Sequence, residues 1–315
     1  MLTNVLLALV LSAAIALATG PKLIEWLRGH QMKTSENELG PKEHLKKRGT
    51  PIMGGLMIAL GCIVSFVLCA AYTGAWVTTI LPLLFVSLGS MAVGLADDWT
   101  KAVKHRSEGL TPWQKIIGLS VVCLGFSVWC YFTQGSKVLL PFANTEWDLG
   151  LWYIPLLALT VLFMTNSANL QDGLDGLLSS VTVVGMIAFG VLAVLMSRLT
   201  GAKELLGETS RDAVAILCFT LAGAAIGFLR FNHYPAQIFM GDTGSMFIGG
   251  VMVGAAVVLK CEFLLLLICF TCVMSSVSVM LQTAYFKYTK KKTGTGKRIF
   301  KMAPIHNHFE MCGMK

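Results

Sequence analysis

Five of the seven aspartates lie beside long apolar runs and have the clearest capacity for chemistry: Asp97, Asp98, Asp172, Asp175 and Asp242. An ionisable side chain costs about 2.5 to 3.5 kcal/mol at the centre of a bilayer, so acids gathered at run ends indicate a function. The adjacent carboxylates of Asp97 and Asp98 repel each other and thereby favour a divalent cation. With Lys101 one helical turn further on, the group suits a substrate that carries phosphates. The alternative is a pair of ordinary helix-end residues in headgroup water.

A second cluster lies in residues 166–176, which join two apolar runs. Asn169, Asp172 and Asp175 are spaced three apart, so a helical turn places them on one side. Gly173 and Gly176 allow a ligand or another backbone to approach closely. The pattern predicts a polar binding surface, and the alternative is an Asx-rich turn that caps a membrane helix.

A third cluster begins an apolar run at residues 241–245, where Asp242 stands among glycines and hydroxyl residues. The free backbone N–H groups of a helix N-terminus favour an anion or a metal-bound phosphate. Asp242 alone would also serve as a simple N-cap.

The C-terminal segment combines a basic run with two histidines. A basic run beside a membrane commonly contacts anionic headgroups, which accounts for the lysines of residues 287–301. It does not account for His306 and His308, which are two residues apart. These histidines are candidates for contacting a pyrophosphate or sharing a proton.

The apolar runs that position these groups are long enough to cross a membrane. Of 315 residues, 55% are hydrophobic and only 13% charged, against about 25% charged in a soluble domain. A helix of about 17 to 25 apolar residues spans the hydrocarbon core. The sequence predicts an all-α, polytopic membrane protein of one domain, 1–315, with nine transmembrane helices near 3–20, 52–73, 77–96, 114–133, 151–168, 176–197, 212–229, 243–259 and 263–286.

The loop charges predict the orientation of these nine spans. Lys and Arg accumulate in cytoplasmic loops, and most of the 25 in this chain fall in alternate loops on one side. This places the N-terminus outside and the five aspartates at the inner face. A transporter would carry its acids near mid-span, and none of the nine runs does.

Five ordered motifs resemble those of the polyprenyl-phosphate N-acetylhexosamine-1-phosphate transferases. They are residues 44–55, the Asp97–Asp98 pair, and residues 169–176, 239–245 and 302–310. The resemblance runs from about residue 42 to residue 311 and is strongest to the branch that transfers phospho-N-acetylmuramoyl-pentapeptide in peptidoglycan synthesis. The alternative is the sister branch that transfers N-acetylglucosamine-1-phosphate to the same lipid.

The resemblance implies an Mg²⁺-dependent reaction in a bacterial plasma membrane, with the active site at the cytoplasmic face. Undecaprenyl phosphate attacks UDP-N-acetylmuramoyl-pentapeptide and releases UMP. Whether an aspartate such as Asp97 takes a proton from the lipid phosphate or acts as a covalent nucleophile stays open. The expected partners are the two substrates, the lipid bilayer and a second copy of the chain in a homodimer, with no nucleic acid.

The resemblance also implies which residues form the site. The expected catalytic residues, with Asp242 as the Mg²⁺ ligand, are Asp97, Asp98, Lys101, Lys115, Asp242, His306 and His308. The expected substrate-binding residues are Lys46, Thr50, Asn169, Asp172, Gly173, Asp175, Asn232, Phe239 and Gln282.

The chain departs from the family pattern in two respects. Asn307 stands where the family carries the middle one of three consecutive histidines, so no titrating imidazole is expected there. Family members also usually have a tenth span after this motif, whereas nine are predicted in these 315 residues.

Overall fold

The computed structural model describes residues 1–30, 49–74, 80–104, 108–140, 143, 145–198 and 208–314. Within them, the chain is a bundle of α-helices with one short hairpin of strands β1 (Lys137–Leu140) and β2 (Thr145–Asp148). The helices are α1 (Leu2–Gly29), α2 (Gly55–Thr73), α3 (Ile80–Lys104), α4 (Pro112–Gln134), α5 (Tyr153–Gln171), α6 (Leu177–Arg198), α7 (Glu208–Asn232), α8 (Gly241–Val258), α9 (Glu262–Ile268), α10 (Phe270–Thr293) and α11 (Ile305–Met311).

The helices confirm the prediction of an all-α, polytopic membrane protein. Each of the first eight predicted runs falls on one of the helices α1 to α8, and all eight are long and apolar enough to cross a membrane. The ninth run differs from a straight crossing, because α9 and α10 meet at an angle of 82°. The break lies at Cys269, which ends α9 and precedes α10. The described residues therefore hold eight candidate spans, or nine if the bent pair counts as one.

Helix α8 is the centre of the bundle. Nearly all of its residues from Thr243 to Val258 are buried, and it packs mainly against α3 and α5. Helix α7 is also largely buried and packs against α1, α2 and α6. The peripheral helices keep many apolar side chains exposed, as a lipid-facing surface requires.

Glycines let the backbones around α8 come close. A Cβ atom at Gly250 would lie 2.8 Å from the Cα atom of Ser87 in α3, and one at Gly249 would lie 2.7 Å from that of Thr165 in α5. Close packing of small residues is a main source of helix association in membranes, where the hydrophobic effect contributes little. These contacts fix α3 and α5 against α8, and the ends of the three helices carry the acidic residues.

The end of the bundle opposite the acidic residues is closed by polar contacts around the hairpin. The Lys260 ammonium after α8 donates to the carbonyl oxygens of Gln134 at 3.0 Å and Lys137 at 3.4 Å. Since α4 ends and α5 begins at this hairpin, the start of α4 and the end of α5 lie together at the other end. That arrangement gathers the predicted site residues on one side of the bundle.

We expect Gly250→Ala to lower the free energy of unfolding by about 1–3 kcal/mol, the usual cost of overpacking a core. The added methyl group meets the α3 backbone, which cannot rotate away as a side chain can. Thermal denaturation in detergent measures the change. Gly185→Ala in α6 is the matched control, because its Cβ would meet other atoms only at 3.6 Å or more. Equal melting temperatures for the two variants would contradict this account of the packing.

Candidate active site

Three carboxylates from two helices meet at one end of the bundle. Asp97 and Asp98 lie in the last turns of α3, and Asp242 lies in the first turn of α8. One carboxylate oxygen from each lies within 4.8 Å of one from each of the others. Asp97 is 3% exposed and Asp98 is 1% exposed. The sequence-predicted acids of the first and third clusters therefore form one buried group.

Two lysines hold this acidic group together. The Lys101 ammonium lies 2.6 Å from a carboxylate oxygen of Asp97, 3.4 Å from one of Asp242 and 3.7 Å from one of Asp98. The Lys115 ammonium lies 2.5 Å from the same Asp242 oxygen. Three carboxylates against two ammonium groups leave one negative charge, which electrostatically favours a further cation.

Lys115 reaches the site because of how α4 begins. Pro112 occupies the first turn, and the Thr111 hydroxyl and Gln114 side chain form a capping box that fixes the start of the helix. The preceding turn also contacts the site, since the Leu110 N–H donates to Asp97 Oδ1 at 2.9 Å. Local helix-start signals in the sequence thus place a lysine of α4 against an aspartate of α8.

The end of α5 adds an amide and a further carboxylate. Asn169 Nδ2 donates to Asp242 Oδ1 at 2.7 Å and to Ser245 Oγ at 3.0 Å. Asp172 follows three residues later and is half-buried. Its partial burial, together with the negative charges of Asp242 and Asp98, raises its pKa well above the usual range. The second predicted cluster is therefore in electrostatic contact with the first and third.

Asn232 and Asp175 hold the loop before α8. Asn232 Oδ1 accepts from the Gly176 N–H at 3.1 Å and from Ser179 Oγ at 3.0 Å, and Nδ2 donates to the Ile238 carbonyl at 3.0 Å. Asp175 Oδ2 accepts from the Ala236 N–H at 3.1 Å. Both residues were predicted to bind substrate, and in the structure their side chains bind this loop.

The early motif pairs with the residues just before α8. The Phe239 N–H donates to the Pro51 carbonyl at 2.8 Å, and the Gly54 N–H donates to the Phe239 carbonyl at 2.9 Å. This pairing places Thr50, next to Pro51, near the start of α8. Lys46, the other predicted residue of this motif, lies outside the described residues.

His306 returns to the second cluster through the C-terminal segment. Its Nδ1 lies 3.4 Å from Ser275 Oγ, and that hydroxyl donates to the Gln171 side chain. Its Nε2 is buried against Gly173 and has no hydrogen-bond partner among the described residues. Burial lowers the pKa of the imidazole to about 4, so the ring is neutral at neutral pH.

His308 and Gln282 serve the segment itself. His308 Nδ1 accepts from the Lys301 N–H at 3.1 Å. Gln282 Oε1 accepts from the N–H groups of Ile299 at 2.9 Å and Phe300 at 3.0 Å. These contacts fold the basic segment back on α10. Among the described residues, neither His308 nor Gln282 contacts the three-carboxylate group.

Sequence reasoning missed several residues that organise the site, namely Thr243, Gln171 and Ser275. Thr243 Oγ1 donates to Asp98 Oδ2 at 2.7 Å. Gln171 and Ser275 support His306 as described above. Thr243 lies inside the motif of residues 239–245, next to Asp242, so its position was a usable signal. Gln171 also lies inside a motif, that of residues 169–176, but it ends α5 whereas Ser275 lies in α10, and nothing in the sequence links the two.

The donor set fits a divalent metal ion. Hard cations of this class bind carboxylate oxygens, and the three grouped aspartates could hold one. The remaining negative charge of the group is consistent with such binding.

Comparison with known proteins identifies relatives over almost the whole chain. They include proteins named phospho-N-acetylmuramoyl-pentapeptide-transferase from three bacteria. That of Clostridium perfringens is 40% identical over 98% of this chain and 91% of the relative. That of Acetivibrio thermocellus is 38% identical over 97% and 87%, and that of Bacillus subtilis is 38% identical over 98% and 90%.

The family match covers the part of the chain that carries the three grouped carboxylates. The family described as glycosyl transferase family 4 matches residues 80–260, from the start of α3 to just past α8. The resemblance drawn from the motifs is thereby confirmed. With this match over more than half of its length and relatives that extend over nearly all of it, the chain belongs to glycosyl transferase family 4.

Proposed function

We propose that the chain transfers phospho-N-acetylmuramoyl-pentapeptide from its UDP carrier to undecaprenyl phosphate, and that it releases UMP. The observation that carries the proposal is the meeting of three carboxylates and two lysines at the ends of α3, α4 and α8. The names of the near-full-length relatives support the muramoyl branch over the N-acetylglucosamine alternative.

In the proposed reaction an oxygen of the lipid phosphate attacks the sugar-side phosphorus of the UDP-sugar. The bond between that phosphorus and the oxygen bridging to UMP breaks, UMP leaves with the bond electrons, and a lipid pyrophosphate forms. Phosphoryl transfer of this kind depends on positioning and on neutralising charge over the phosphate oxygens. A site with two lysines and a bound cation provides both.

The two lysines and Asp242 have distinct roles in this scheme. Lys101 and Lys115 both contact Asp242, so their ammonium groups would be available for phosphate oxygens if the carboxylates held a metal ion. We assign the metal as Mg²⁺, with Asp242 as its principal ligand and Asp97 and Asp98 close by. When bound, Mg²⁺ neutralises phosphate charge and polarises the phosphorus that is attacked.

Asp97 is assigned to receive the proton of the lipid phosphate. Asp98 binds the first turn of α8, and Asp242 binds two lysines and Asn169. Asp97 is the member of the group that contacts neither α8 backbone nor Asn169; its oxygens bind the Leu110 N–H and Lys101. Transfer of a proton from an attacking phosphate to a nearby carboxylate is general base catalysis.

The nucleoside is proposed to bind beside the end of α5. Asn169, Asp172 and Gly173 border the acidic group there, and the unpartnered Nε2 of neutral His306 provides one hydrogen-bonding atom. The remaining proposed contributors act through the loop before α8, the early motif or the C-terminal segment: Lys46, Thr50, Asp175, Asn232, Phe239, Gln282 and His308.

The proposed setting is the bacterial plasma membrane, with the chain acting as one domain. The charge distribution of the loops supports a cytoplasmic site with the N-terminus outside. Undecaprenyl phosphate would then reach the site from the inner leaflet. The family resemblance supports a homodimer as the assembly.

We expect Asp242→Asn to reduce transfer by about 100-fold or more, the scale seen when one electrostatic contact to a transition state is lost. The amide keeps the side-chain shape but removes the charge that binds both lysines and the metal. Asp97→Asn is expected to have a comparable effect. Transfer of a radiolabelled UDP-substrate to lipid measures the loss.

Asp148→Asn in the exposed hairpin is the control for these variants, because it removes one carboxylate at the other end of the bundle. It should transfer at the wild-type rate. Melting temperatures in detergent establish that all variants are folded. Turnover at the wild-type level in Asp242→Asn would remove that residue from the catalytic set.

We expect a chelator to abolish transfer and added Mg²⁺ to restore it. Without the cation, the lysines stay on the carboxylates and the phosphate charges lack a partner. The assay titrates Mg²⁺ into chelator-treated enzyme, with Ca²⁺ as a comparison, because Mg²⁺ requires a tighter octahedral geometry. Full activity in excess chelator would refute the proposed metal dependence.

We expect UDP-N-acetylmuramoyl-pentapeptide to be used and UDP-N-acetylglucosamine to be used at most weakly. Both donors carry the same diphosphate and uridine, so selection depends on contacts beyond the phosphates. Parallel transfer assays with the two labelled donors separate the branches. Exclusive use of UDP-N-acetylglucosamine would favour the sister activity.

A further inference from the structure

Helix α8 begins without a cap of its own. Its N-cap residue, Met240, has no side-chain hydrogen bond to the first turn. The first N–H groups of a helix have no partner within the helix, and burying them unpaired is costly. Here the partner comes from another helix: the N–H groups of Asp242 and Thr243 donate to Asp98 Oδ1 at 3.2 Å and Oδ2 at 2.9 Å.

A side chain strengthens this capping. Thr243 Oγ1 donates to the same Asp98 oxygen at 2.7 Å, so one residue of α8 binds that oxygen twice. Thr243 is 0% exposed and Asp98 is 1% exposed. Water has no access to replace the hydroxyl, and hydrogen bonds to a buried carboxylate are among the strong ones.

Two glycines keep the approach open. Gly241 has a φ of 76°, which glycine adopts readily, and a Cβ atom there would lie 2.5 Å from Asp98 Oδ2. A Cβ atom at Gly94, one turn before Asp98 in α3, would collide with the Asp242 carbonyl. The backbones of α3 and α8 are therefore in contact at the point where the carboxylate binds the helix start.

We propose that Thr243 is a positioning residue that binds Asp98 as the cap of α8 and thereby fixes the Asp242 carboxylate in the active site. Asp242 directly precedes Thr243, so its side chain is placed by the same first turn. That placement brings it to Asn169, Lys101 and Lys115. In this arrangement Asp98 acts through α8, and the Thr243 hydroxyl acts through Asp98. The metal-binding part of the inference rests on the function proposed above.

The test compares variants that differ in the hydroxyl. Thr243→Val keeps the branched shape and removes the hydroxyl, Thr243→Ala removes it with no risk of overpacking, and Thr243→Ser keeps it. Thr182→Val in α6 is the matched control, because Thr182 is also fully buried and its hydroxyl donates only to Leu178 of its own helix. All are purified as full chains in detergent.

Three measurements follow each variant. Amide hydrogen exchange of a peptide covering residues 239–246 reports the start of α8, Mn²⁺ binding by electron paramagnetic resonance reports the carboxylate group, and steady-state transfer gives kcat and KM. Loss of one hydrogen bond to a charged group corresponds to about ten-fold or more in an equilibrium. We expect Thr243→Val and Thr243→Ala to exchange about ten-fold faster, to bind Mn²⁺ about ten-fold more weakly and to lose kcat by a similar factor.

A positioning role further requires that KM for the UDP-substrate changes little in Thr243→Val and Thr243→Ala. Thr243→Ser and the control Thr182→Val should both behave as the wild type. Wild-type exchange and Mn²⁺ binding in both hydroxyl-free variants would overturn the proposal. So would a Thr243→Ser variant as impaired as Thr243→Val. If the wild type itself bound no Mn²⁺, the proposed metal site would fall, and the exchange rates alone would decide whether Thr243 fixes α8.

Discussion

The site depends on the balance between like-charged carboxylates and the groups that keep them together. Three aspartate side chains with oxygens within 4.8 Å of one another repel strongly in a buried setting. Lys101 and Lys115 offset much of that repulsion from within the same group of side chains. The compensation is incomplete by one charge, and this residual negative charge would favour a bound cation and, through that cation, phosphates. A membrane protein can hold such a group only where several helix ends shelter it, since isolated charges in hydrocarbon are expensive.

The central helix, α8, holds the helix ends that carry these charged groups close together. Helix α8 is nearly enclosed by protein, and glycines along it allow α3 and α5 to approach at backbone distance. The same close approach brings the end of α3 to the start of α8, where Asp98 replaces the missing cap. Packing in the middle of the membrane and chemistry at its edge are therefore coupled, because both rely on small residues at the same helix–helix contact.

Much of this arrangement could be predicted from the sequence, for definite physical reasons. The length of the apolar runs predicts the spans, and eight helices lie where expected. Acids at the ends of these runs indicate the candidate site, because placing an ionisable side chain in or near a membrane costs free energy. The 82° break at Cys269 could not be predicted, since neither proline nor glycine marks it. The roles of Asn232 and Gln282 were equally hidden. Motif position places them near the site, but only tertiary contacts reveal that their amides bind backbone groups of a loop and of the C-terminal segment.

The contrast among the three aspartates shows why residue type and position leave roles undetermined. Asp97 and Asp98 are adjacent on one helix and have the same chemistry, yet successive residues of a helix point about 100° apart. Asp98 therefore faces α8 and binds its first turn, whereas Asp97 faces the loop before α4 and Lys101. Asp242 belongs to the turn that Asp98 holds, and its two oxygens are shared among an amide and two ammonium groups. Two adjacent carboxylates of identical chemistry therefore have different partners, since one caps a helix and the other pairs with a lysine. The different surroundings of the three aspartates thus follow from hydrogen-bond partners contributed by distant segments.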